Sequence, residues 1–110
     1  MTMRPPRSLN ASNLVETGFG ALEYELAAER ASSLGRQGRS VEQALSALKT
    51  AEEGGVQPVE RERLVDAAAQ AVWALFVQRD ICGLRNTREV IQRYGIPDNV
   101  LARLGATPRR

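Results

Sequence analysis

Histidine is absent from this 110-residue chain, and cysteine occurs once, at Cys82. The missing histidine removes Ser-His-Asp and Cys-His catalysis, imidazole general-base chemistry and every metal site with a histidine ligand. A single thiol excludes an internal disulfide framework, and a zinc knuckle or iron–sulfur cluster within one chain. Acid–base chemistry would have to run on carboxylates, Tyr24, Tyr94, Lys49 or that thiol. No run approaches the roughly 18 consecutive apolar residues that span a bilayer, so no membrane association is expected. The basic start MTMRPPRSLNAS has no apolar stretch after its charges, so no secretory signal is expected and a cytoplasmic location follows by default.

Apolar residues make up 43% and charged residues 25%, the composition of an ordinary globular protein. The length suits one helical domain, residues 12–105, between a flexible N-terminal arm (1–11) that contains Pro5-Pro6 and a C-terminal tail (106–110). The net charge of +2 conceals an asymmetry. Residues 16–66 carry ten acids against six bases, whereas 84–110 carry six arginines against Glu89 and Asp98. Such a basic end could meet phosphate, but the acidic half of the same fold, or of a neighbouring copy, answers the charge equally well.

The periodicity is helical throughout, with no strand-like alternation and no internal repeat. A first helix is expected from about Asn13 to Leu34, capped by the Asn13/Glu16 pair, with Val15, Phe19, Leu22 and Leu26 as its core stripe. Gly35 to Gly38 should end it in a short loop. Ser40 and Gln43 then form a capping box for a second helix that buries Val41, Ala44, Leu45 and Leu48 and stops at Gly54-Gly55. A long third helix runs from about Pro58 to Cys82, with Gly83 just past its end. Thr87–Tyr94, closed by Gly95, and Pro97–Leu104, closed by Gly105, complete an all-α compact bundle of three main helices plus two short C-terminal ones.

The third helix holds the most telling pattern. Between Leu64 and Val77 the only polar side chains are Asp66 and Gln70. At 100° per residue Leu64, Ala68, Val72 and Leu75 share one broad apolar face. A second face is polar at its start, with Asp66 and Gln70, and apolar at its end, with Trp73, Val77 and Ile81. A helix apolar on two sides needs cover on two sides. Trp73, Val77 and Ile81 are therefore the candidate partner interface, covered either by residues 87–105 or by a second subunit.

The segment TREVIQRYGIPDNVLARLG, two short helices about a glycine turn, has the spacing of a helix-turn-helix. In that arrangement Asn99 and Arg103 would reach base edges and Arg88 and Arg93 would hold phosphates. Against it stand a reading helix of barely two turns and Asp98 at its start. The acids Glu23, Glu25, Glu29, Glu52 and Glu53 read as solvated helix faces, so no metal or other cofactor is expected. Cys82, at the end of an apolar helix with no histidine to take its proton, reads as a small hydrophobe. The stretch PVERERLVDA, Pro58 to Ala67, resembles the all-helical chorismate mutases, which hold a dicarboxylate with cationic side chains; Arg30, Lys49, Arg61 and Arg63 would be the corresponding set. That resemblance covers ten residues and lacks the first-helix arginine pattern.

WALFVQRDICGLRN (73–86), YGIPDNVLARLG (94–105) and ALEYEL (21–26) together resemble a small bacterial all-helical family of unknown function. The resemblance implies a stand-alone helical domain and brings no catalytic residue. The function expected from the sequence is therefore a non-catalytic interaction module that self-associates, as a dimer. DNA binding through residues 87–104 is the alternative, and a chorismate-mutase-like enzyme the third.

Overall fold

The computed structural model describes the backbone of residues 11–104 and the side chains of residues 17–104; the expected arm over residues 1–10, the side chains of the Asn13/Glu16 cap, Val15 and the tail after Leu104 lie outside that range. The described residues are all-α, with no strand among them: α1 (Ala11–Glu53), α2 (Pro58–Ile81), α3 (Thr87–Tyr94) and α4 (Asp98–Leu101). The chain falls into two compact units, Met1–Ser32 and Ser33–Arg110, each with its own internal contacts.

The expected loop at Gly35–Gly38 is helix, and what were expected as two helices are one. Glycine inside a helix costs about 1 kcal/mol relative to alanine, which packing can offset, and no proline in this stretch removes a backbone donor. At Gly38 the packing is explicit. The residue is buried, and a Cβ added there would sit 2.6 Å from the Tyr94 hydroxyl oxygen. Gly38 is a close-approach glycine for α3, not a stop signal. Ser40 and Gln43 consequently lie in mid-helix and cap nothing.

In the first unit the helix carries Phe19, Leu22 and Leu26 at 61%, 51% and 46% exposure. The core expected of this stripe does not form there. In the second unit α1 contributes Val41 and Leu48, both buried, with Ala44 and Leu45 partly covered beside them. From α2 come Val65, Ala68, Ala69, Val72 and Leu75, and from the C-terminal segment Val90, Ile96 and Val100. The expected core face of the α2 helix thus holds, with Leu64 at its edge.

Three helix ends share one hydrogen-bond pattern. The amide after the terminal glycine donates to the carbonyl five residues back, Val56 to Ala51 at 3.1 Å, Leu84 to Arg79 at 2.8 Å and Ile96 to Ile91 at 3.1 Å. The glycine itself donates to the residue three before it, as Gly83 does to Asp80 at 3.0 Å and Gly95 to Gln92 at 3.3 Å. This is the Schellman closure, which needs a left-handed residue, and Gly83 (φ 78°) and Gly95 (φ 62°) supply it without a Cβ clash. The hydrophobe that follows normally packs back. Ile96 is buried and Val56 half-buried, but Leu84 is exposed.

At the other end of α3, the Asn86 side chain accepts from the Glu89 amide at 3.3 Å and donates to the Glu89 carboxylate at 2.9 Å. The last helix is shorter than its pattern suggests. It closes at Leu101, and the amides of Arg103 and Leu104 donate three residues back, to Val100 at 3.0 Å and Leu101 at 3.2 Å, in tightened turns.

Candidate interaction surface

The two faces of α2 part company along its length. On the second face, the polar start is occupied by the C-terminal segment: Arg103 donates to Asp66 and to Glu62, each at 2.5 Å. Those two charge-assisted bonds raise the Arg103 guanidinium's pKa above its ordinary value, because the carboxylates favour its charged form. At Gln70, which is exposed, this cover has already ended. Trp73, Val77 and Ile81 are 51%, 40% and 62% exposed, and Leu84 adds a fourth apolar side chain at 44%. Trp73, Val77 and Ile81 stand four residues apart, so they form one continuous line on the helix. Residues 87–104 do not cover it.

The line's surroundings are electrically mixed. Asp80 borders it and meets Arg85 at 3.9 Å, across the turn at Gly83. Arg79 lies half-buried on the flank. Cys82 is half-buried, with its sulfur 3.9 Å from the Gln78 amide nitrogen. The sequence pattern found Trp73, Val77 and Ile81. It missed Leu84, whose exposure follows from the turn geometry and not from helical spacing.

The candidate nucleic-acid contacts do not form one surface of available donors. Arg88 is exposed. Arg93 pairs with Glu89 at 3.2 Å, and Arg103 is held by the two acids of α2. The Asn99 side-chain oxygen is buried without a hydrogen-bond partner. Arg103 follows α4 instead of sharing a helix with Asn99.

The cationic set disperses similarly. Arg61 pairs with Glu52 at 3.1 Å and Arg63 with Glu60 at 2.5 Å. The latter contact lowers the Glu60 carboxyl's pKa through the hydrogen bond that Arg63 donates. Arg30 belongs to the first unit. Lys49 lines an open groove of about 490 Å³ with Glu42, Glu52, Leu45, Tyr94 and Pro97. That groove had no signal in the sequence, since it arises where α3 and its closing turn meet α1. Among the described residues no three carboxylates or thiols gather as they would around a metal ion, and no helix is long and apolar enough to cross a membrane.

No curated protein and no solved structure matches the chain. A family model does match, over residues 1–110, and its extent agrees with the resemblance seen in the 21–26, 73–86 and 94–105 segments. The chain belongs to DUF6665, a family of unknown function.

Proposed function

We propose that this protein is a non-catalytic interaction module that self-associates through the C-terminal half of α2. The observation that carries this reading is the exposed line Trp73, Val77 and Ile81 on a helix whose opposite face is used by the core, with Leu84 exposed in the turn that follows. Exposed large apolar side chains cost free energy in water, at about 25 cal/mol per Å² of apolar surface. A second copy of the chain is the occupant that best suits the border of the strip. Asp80 and Arg85 carry opposite charges, so a two-fold packing that brings Asp80 near Arg85 of the partner subunit gains that attraction twice. A strongly anionic partner would meet Asp80 as well as the arginines.

Trp73 is the only tryptophan, so its emission reports on the surface directly. We expect the wild-type chain to sediment as a dimer at micromolar concentration, with its emission shifting to the blue as concentration rises. At that micromolar concentration the V77E/I81E double variant should sediment as a monomer with unchanged helicity. A wild-type monomer at high micromolar concentration would overturn the proposal. So would a V77E/I81E variant that keeps the dimer mass at the same micromolar concentration. A duplex shift in a gel at low salt, lost in R88E, would favour nucleic-acid binding instead, because phosphate contacts strengthen as salt falls.

A further inference from the structure

We infer that the first unit carries a second, independent self-association element: residues 15–30 of α1 pair with the same residues of another copy as a short parallel coiled coil. The inference uses none of the α2 residues. It starts from Phe19, Leu22 and Leu26, three large apolar side chains exposed on one helix. Their spacings of three and four residues, continued in the sequence by Val15 four residues earlier, are those of alternating core positions in a heptad repeat. With Phe19 and Leu26 as first-position residues and Leu22 as the fourth, Glu23 and Arg30 fall at the fifth position and Glu25 at the seventh.

The charges then select both the occupant and its direction. In a parallel pair the seventh position faces the fifth position of the next heptad, so Glu25 meets Arg30 of the partner subunit, twice by symmetry. An antiparallel pair sets fifth positions against fifth and seventh against seventh, which separates Glu25 from Arg30. Glu25 and Arg30 are both exposed. The stripe ends after Leu26, where Glu29 and Ser33 take the next core positions. Two heptads make a weak coil, and a helix this short is marginal alone in water, so the pairing should appear at high protein concentration.

The test is made in the full chain with the α2 line disabled by V77E/I81E, so that failure of the α2 interface and failure of this one are separable. Trp73 emission and circular dichroism confirm that the second unit stays folded. We expect this background to dimerise at high concentration and L22E/L26E to abolish that dimer. R30E should weaken it on the order of tenfold, since two attractive pairs become repulsive. Adding E25R to R30E should restore it. In a Cys82→Ser background, Leu26→Cys should give a disulfide-linked dimer on mild oxidation, because only a parallel pair brings position 26 against itself. A monomer at all concentrations, indifference to L22E/L26E, failure of the charge swap to restore pairing, or no cross-link at position 26 would each overturn the inference.

Discussion

Gly38 and Tyr94 show how a single residue can mislead a sequence pattern. In sequence, Gly38 looks like the end of a loop; in the fold it is the space that the Tyr94 hydroxyl occupies. Two opposed effects follow. Alanine at 38 gains about 1 kcal/mol of helix propensity, but its Cβ would lie 2.6 Å from the hydroxyl oxygen, and Tyr94 must shift. Removing the oxygen leaves the ring carbon at 3.7 Å, an ordinary contact. Gly38→Ala should therefore be neutral or destabilising alone, and stabilising by about 1 kcal/mol in a Tyr94→Phe background. Urea denaturation of the four proteins in this cycle measures the coupling, and strict additivity would contradict it. Arg103 teaches the complementary lesson. Its type suggested phosphate or base contacts, yet Glu62 and Asp66 lie about ten turns of sequence upstream on another helix, where no local pattern could connect them to it.

At the scale of elements, the ends marked by glycine followed by a hydrophobe were legible, and the break marked by glycine alone was not. Gly83 and Gly95 close α2 and α3 where the pattern placed them, because a Schellman turn demands both the left-handed glycine and the hydrophobe after it. Arg36 and Arg39, after Gly35 and Gly38, offer no such hydrophobe. The helix accordingly runs on. Gly35 makes the point testable, since a Cβ there would meet only the Arg39 guanidinium at 3.5 Å. Gly35→Ala should raise stability by about 1 kcal/mol in thermal or denaturant unfolding, whereas a left-handed loop glycine would lose stability on the same change. The core face of α2 was legible, since helical angle alone separates the buried Ala68, Val72 and Leu75 from the exposed Trp73, Val77 and Ile81.

For the whole molecule, the all-α class and the core of the second unit followed from periodicity, while the fate of the Phe19, Leu22 and Leu26 stripe did not. A heptad stripe is the same string of residues whether it packs on its own chain or on another. The charge asymmetry is partly resolved within the chain. Of the C-terminal arginines, Arg93 and Arg103 meet Glu89, Glu62 and Asp66. The contact between Gly38 and Tyr94 also has a kinetic meaning. It joins residues more than half the chain apart, and closing so long a loop is costly, so the contact is expected to form late in folding. A contact that forms late is absent from the folding transition state. A variant that damages this one, such as Tyr94→Ala, should speed unfolding in stopped-flow experiments and leave the folding rate nearly unchanged. On that expectation, the docking of α3 sets how long the folded second unit lasts more than how quickly it forms.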